Sequence, residues 1–224
     1  METLKTKPVE TKRRMRGRPA GANAQMQRQR ILSHACDAFA AFGPETTRLQ
    51  DIAERAGVDR RLVYHYFKSK DKLYLEVLQD LFAKLVDLSE DVCHNVDNLE
   101  EMIEKLMRRY YRFCCNNPAF VRVLMWENLR DVKGLREYAD QCKLINVNFE
   151  ILKPLILSAA SKGKCRADLD PTMLLITCLS NCLYFLTNGP SLELIFGTKF
   201  KDEVVRSEWI DHAVAQVKDG IRPV

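Results

Sequence analysis

The chain has no C-x-x-C pair, no Cys/His cluster at zinc-ligand spacing, no glycine-rich phosphate loop and no nucleophile elbow. Those gaps remove the common sequence forms of a zinc site, a nucleotide-binding loop and an α/β-hydrolase serine. His34, His94 and His212 stand far apart on segments that read as structural helices, so no catalytic grouping, metal site or cofactor is expected and the chain does not read as an enzyme. Charged residues interrupt every apolar run before it reaches the roughly 20 residues needed to span a bilayer. The N-terminus has no apolar core followed by a small-residue cleavage site. A cytoplasmic protein without membrane contact is expected. No segment alternates as a strand would, and no fixed-period repeat is visible. The expected fold is all-α.

What is present fits a soluble chain with a substantial core. Its 224 residues are 46% hydrophobic, enough for one large domain or for a small domain joined to a larger one. The eight cysteines (Cys36, Cys93, Cys114, Cys115, Cys142, Cys165, Cys178 and Cys182) fall mostly within apolar helical segments. Free cysteine behaves there as a small hydrophobe, and a reducing compartment keeps it unpaired. Net charge is +5 but uneven: residues 1–30 hold nine Lys or Arg against Glu2 and Glu10, a local +7, so the remainder sums to −2. A basic arm on a near-neutral body is what a polyanion partner requires. The arm lacks the apolar residues that would anchor an amphipathic helix in lipid.

Residues 1–25 have too few large apolar side chains to pack without a partner. Within them, Arg16-Gly17-Arg18-Pro19 resembles the core of an AT-hook, in which two arginines follow the narrow minor groove of A·T-rich DNA. Such strings also occur by chance in basic tails; the neighbouring motif favours the DNA role. A first helix is expected over 25–42, with Ile31, Ala35, Ala38, Phe39 and Phe42 on one face and Gly43-Pro44 as its stop. Thr47 followed by Gln50 fits a capping box, and the amides of a helix start form a natural phosphate site. Residues 49–68 then read as a helix-turn-helix. Leu49, Ile52, Ala53 and Ala56 mark one short helix, Gly57 can supply the left-handed turn, and Leu62, Val63 and Tyr66 face inward from a second. Arg60 and Arg61 sit on the outer first turn of that second helix, a placement suited to a major groove. A plain helical hairpin with solvated charges is the alternative for this stretch taken alone.

Further helices are expected from about Lys70 to Asn95, Leu99 to Cys115, Phe120 to Leu129 and, as one long element with Pro154 as a kink point, Leu135 to Ala160. Pro171 to Asn188 is apolar almost all round, as a helix buried on most sides would be, and a last helix covers about 202–218.

The pattern Thr47-x-x-x-Asp51-Ile52-Ala53-x-x-Ala56-Gly57-Val58, followed by Tyr64-x-x-Phe67-x-x-Lys70-x-x-Leu73, resembles the TetR family of transcriptional regulators over about sixty residues. Asn117-Pro118 through Trp126-Glu127-Asn128 is similar to one common TetR C-terminal type. The resemblance implies a DNA-binding unit over 26–86 and an effector-binding and dimerisation unit over 87–224. The helices at about 171–188 and 202–218 would pair with a partner's copies in a four-helix bundle. It implies a phosphate contact from Thr47, base contacts from Arg60 and Arg61, backbone contacts from Tyr64 and His65, and a phosphate contact from Lys70. Arg61 departs from the small residue common there, which bears on how deeply the helix sits.

Effector candidates are Tyr110, Phe113, Trp126, Asn128, Asn148, Phe149, Asn181 and Tyr184, since pockets are mostly apolar with a few fixing polar groups. Each is also readable as ordinary core, and Asn181 as a residue setting the dimer register. The implied function is a ligand-responsive, sequence-specific DNA-binding regulator, a repressor released from a palindromic operator by a small molecule. The mechanism is a shift between two spacings of the paired DNA-reading heads. A thiol-responsive regulator is the alternative, from Cys178 and Cys182 one turn apart and the adjacent Cys114 and Cys115. No basic neighbour lies beside Cys178 or Cys182 to lower a thiol pKa. A purely structural helical protein would account for the core but not for the basic arm.

Overall fold

The computed structural model describes residues 20–93, 98–141 and 147–223, with side chains over 23–85, 98–139 and 153–223. These residues form ten α-helices and no strand. Three N-terminal helices come first: α1 (Ala20–Thr46), α2 (Leu49–Ala56) and α3 (Arg60–Phe67). The long α4 (Lys70–Cys93) leads from them into a bundle of α5 (Leu99–Asn116), α6 (Pro118–Leu129), α7 (Lys133–Gln141), α8 (Val147–Ser161), α9 (Pro171–Phe196) and α10 (Glu203–Ile221).

Local chemistry fixes the N-terminal trio. Ile31, Ala35, Ala38 and Phe39 of α1 are buried against Ile52, Ala53 and Ala56 of α2 and Val63 and Phe67 of α3. Gly43 takes φ 77° and ψ 161°, interrupting the helical path of α1 where Gly-Pro was expected to end it. Gly57 is left-handed at φ 61°. Its amide bonds the Glu54 carbonyl at 3.0 Å while that of Val58 reaches Ala53, also at 3.0 Å. That paired pattern closes a helix end on a residue without a Cβ. Asp59 then caps α3, its carboxylate accepting the Arg61 amide at 2.6 Å.

Two expectations for this trio are corrected. Arg48, not Thr47, is the N-cap of α2, and it makes no side-chain cap bond. The Thr47 hydroxyl instead donates back to the Gly43 carbonyl at 2.6 Å, because the break at Gly43-Pro44 leaves α1 carbonyls to be satisfied locally. Phe42 is half exposed, with the Arg55 guanidinium 5.2 Å above its ring rather than core around it. Over the span expected as one helix, 135–160, the described residues are helical in α7 and α8, and residues 142–146 between them lie outside the described set.

The bundle core is built by Met102, Ile103, Met107, Tyr110 and Phe113 of α5, Phe120 and Val123 of α6, and Leu174, Cys178, Cys182 and Phe185 of α9. Phe185 stacks on Trp209 of α10 at 4.9 Å between ring centroids, with Phe200 edge-on at 4.7 Å. The helix expected to end at Asn188 continues through Gly189-Pro190 to Phe196 and stops at Gly197, φ 69°. Gly189 is buried under Phe200, so tertiary packing overrides the local breaker. By length and composition α9 would also suffice to cross a bilayer. Its buried side packs on α5, α6, α8 and α10. Met173, Ile176, Leu179 and Tyr184 remain exposed on another side.

Candidate nucleic-acid interface and the seam behind it

The outer face of α3 carries no core side chain. Arg60, Arg61, Tyr64 and His65 are all exposed. Arg60 is held ready: its guanidinium lies 5.3 Å from the Tyr64 ring centroid and donates to the Tyr64 hydroxyl at 3.1 Å. Stacking of this kind limits the rotamers a long arginine must give up on binding. Arg61 is exposed on the turn that Asp59 caps, and the His65 carbonyl accepts Lys68 Nζ at 2.8 Å. Lys70 Nζ, at the start of α4, donates to the Glu45 carbonyl at 3.1 Å.

Between these groups lies a concavity of about 590 Å³, bounded by Glu45, Thr46, Arg48, Arg60, Tyr64, Ser69 and Lys70. Three cations and several hydroxyls around one open groove suit a phosphate backbone. Thr47 also lines it but is only 4% exposed, its hydroxyl proton committed to Gly43. The side-chain phosphate contact implied for Thr47 is therefore not available in this conformation. Arg16 and Arg18 lie outside the described residues.

Behind this face, α6 and α7 close on α1 and α4 through a set of residues that sequence reasoning missed. Pro44 has no N–H to offer the Ala40 carbonyl four residues back. The Trp126 indole supplies the donor at 3.3 Å. Gly43 lies against the same ring, and a Cβ there would meet it at 3.0 Å. Next along α6, Glu127 has no solvent exposure at all. Its carboxylate receives the Tyr74 hydroxyl at 2.7 Å, Arg130 at 3.1 Å and the Leu135 amide at 2.8 Å, a set that offsets the cost of burying a charge. Burial, and then the bond to Glu127, pushes the Tyr74 hydroxyl pKa far up, so it stays a donor. Gly134 is required in this cluster, because a Cβ would sit 2.9 Å from Leu78 and 3.1 Å from Glu127 Oε1. Arg130 bridges onward to Glu45 at 3.0 Å. One signal was available in the sequence: Glu127 falls seven residues after Phe120 and four after Val123, on the apolar face of α6.

The six effector candidates whose side chains are described do not converge. Tyr110 and Phe113 are buried in the bundle, the latter edge-on to Phe120 at 5.0 Å. Trp126 belongs to the seam. Asn128 is exposed and bonded to the Leu124 carbonyl at 2.9 Å. Asn181 lines a shallow groove between α9 and α10, where its own carbonyl accepts the Trp209 indole at 2.9 Å. Tyr184 is 56% exposed on α9. Asn148 and Phe149 lie on α8, their side chains outside the described set. Six described cysteines are free. Burial pushes Cys36 up to about 11 and Cys178 up to about 12, the opposite of what a reactive thiolate needs.

Two family models match the chain. Residues 31–77 match bacterial regulatory proteins of the tetR family, and residues 100–217 match the tetracyclin repressor-like C-terminal domain. The HTH-type transcriptional regulator RutR of Escherichia coli (strain K12) is 30% identical over 207 residues, covering 88% of this chain and 91% of that protein. The HTH-type transcriptional repressor NicS of Pseudomonas putida is 25% identical over 211 residues, covering 93% and 100%. Among solved structures, a TetR family regulator from Marinobacter aquaeolei VT8 superposes with a TM-score of 0.67 at 14% identity, covering 91% and 100%. The regulator FadR of Bacillus subtilis, solved with stearoyl-CoA, gives 0.66 at 16% identity, covering 87% and 99%. With its helix-turn-helix, its all-helical bundle and these two matched domains, the chain belongs to the TetR family of DNA-binding transcriptional regulators.

Proposed function

We propose that this regulator works as a homodimeric repressor which leaves a palindromic operator when a small molecule enters its C-terminal bundle. Residues 26–86 form the reading head, and residues 87–224 hold the effector and the partner subunit. Arg60 and Arg61 address base edges; Tyr64, His65 and Lys70 fix the head on the backbone. Arg16 and Arg18 add a minor-groove contact from the basic arm. The carrying observation is the outer face of α3, where Arg60 is already stacked on Tyr64 beside a cation-rimmed groove. Arginine can donate two hydrogen bonds to a guanine edge, so an ordered arginine there favours readout over mere attraction.

The exposed side of α9 supports pairing. Met173, Ile176 and Tyr184 are 62%, 51% and 56% exposed on a helix whose opposite side is core. A second copy's α9 and α10 would cover them and set two heads one DNA turn apart. The effector is a small molecule held by the C-terminal bundle, with Tyr110 and Phe113 among the candidate contacts by residue type and Asn148 and Phe149 kept as candidates from the sequence alone. Its site of action is the cytoplasm, beside the chromosome. Electrophoretic shift with DNA from the regulator's own promoter tests the reading. A retarded band lost against Arg60→Ala/Arg61→Ala protein is expected. Binding unchanged by that double substitution would remove α3 from the interface.

A further inference from the structure

Glu45 is a misplaced charge for a DNA-facing surface. Its carboxylate stands on the rim of the groove shared with Arg48, Arg60 and Lys70, and it is 73% exposed. A bare carboxylate at that rim opposes an approaching phosphate. Its neutralising partner, however, does not come from the three N-terminal helices. It is Arg130, just past the end of α6, whose Nε donates to Glu45 Oε1 at 3.0 Å.

Arg130 is held in that pose from behind. Its side chain is only 18% exposed, its guanidinium lies 5.5 Å from the Tyr74 ring centroid, and its other arm reaches the fully buried Glu127 at 3.1 Å. Glu127 is itself fixed by Tyr74 on α4 and by the Leu135 amide on α7. The pose therefore exists only while α4, α6 and α7 keep their present relation. The turn that joins α6 to α7 is also strained. Asp131 and Val132, the two residues after Arg130, both have φ 53°, a left-handed conformation that is out of place for a β-branched side chain. The amides of Arg130 and Val132 are tied to the Glu127 carbonyl at 3.0 and 2.8 Å, which keeps the turn wound. Strain of this sort persists only where the surroundings over-determine it, and it is released when they shift.

We propose that Arg130 is a positioning residue for DNA binding: it masks the Glu45 carboxylate from the phosphate backbone, and unwinding of the Asp131–Val132 turn withdraws it. The bundle thus controls the charge of the reading face as well as its placement. A small motion of α6 against α4 removes one cation from each head and uncovers one anion. This inference rests on the reading role of α3.

The test is binding of full-length protein to a labelled duplex from its own promoter, by anisotropy, with melting temperatures measured alongside. Arg130→Gln, which keeps an amide donor for Glu127, is expected to weaken binding about tenfold, as lost charge neutralisation at an interface does. Adding Glu45→Gln to it should restore affinity to within about twofold of Glu45→Gln alone. A double variant as weak as Arg130→Gln would overturn the masking, because Arg130 would then act by packing. Where Arg130→Gln melts too early to compare, a second pair leaves the buried cluster untouched. Glu45→Asp keeps the charge but draws it back from Arg130, and should bind about threefold more weakly than Glu45→Gln at low salt, with a shallower salt dependence because salt screens the added repulsion. Equal affinities for those two would overturn the proposal alone. A wild-type protein that bound no duplex would overturn it together with the role given to α3.

Discussion

Two helices leave a face uncovered, and the faces are of opposite kinds. α3 presents Arg60, Arg61, Tyr64 and His65; α9 presents Met173, Ile176, Leu179 and Tyr184. The first face is well solvated and costs the lone subunit little. The second exposes apolar surface at roughly 25 cal/mol per Å² that a partner could cover. An uncovered charged face can wait for its ligand, whereas an uncovered apolar face calls for a permanent occupant. The lone subunit thus presents a charged surface on α3 and an apolar one on α9.

The sharpest way to break that contrast is to make the second face resemble the first. If the proposed dimer forms through α9, Ile176→Glu should yield a monomer in sedimentation and lower affinity for promoter DNA by about a hundredfold or more, since a buried unpaired charge is not tolerated and one head alone binds weakly. A dimer that survives this substitution would take α9 out of the interface. Gly43→Ala addresses the seam between the two faces. Strain at φ 77° and a Cβ at 3.0 Å from Trp126 should cost about 1–3 kcal/mol. That loss would lower Tm by roughly 2–4 °C per kcal/mol. An unchanged Tm would mean that the seam yields freely.

On the charged face, Arg60→Ala should relax preference at one base pair by about 1–3 kcal/mol, while Lys70→Ala weakens all sequences alike and lowers the salt slope by about one. Equal losses on operator and random duplex for both variants would reverse those roles. The smallest effect concerns pH. Desolvation raises the Cys178 thiol from an ordinary 9.0 to about 12. The folded state keeps that proton where the unfolded chain releases it. Its contribution to stability is therefore whole below pH 9 and lost as pH rises from about 9 toward 12, by up to about 1.4 kcal/mol per pH unit. Melting of wild type and Cys178→Ala at pH 8 and pH 10.5 checks the sign; a steeper loss in the variant would contradict it.

The N-terminal motif was legible because its constraints are local. Gly57, Asp59 and the buried spacing of Ile52, Ala53 and Ala56 act within a few residues of one another. The seam was not legible, because its partners lie far apart in the chain: Ala40 with Trp126, Glu45 with Arg130, Tyr74 with Glu127. Gly43-Pro44 read correctly as a break in α1, but nothing local says that the carbonyl it strands will be met by an indole. Gly189-Pro190 misled for the converse reason. A local stop signal was outweighed by the packing of Phe200 over a residue without a side chain. Effector residues were the least legible, since aromatics at helical spacing serve as core and as pocket wall alike.

The seam also bears on how this protein could be recombined with its relatives. A chimera cut in the short link between α3 and α4 looks modular on paper, with a reader on one side and a sensor on the other. It would nonetheless part Glu45 from Arg130 and Gly43 from Trp126. A transplanted head would fit a foreign sensor only if residues 126–134 travelled with it.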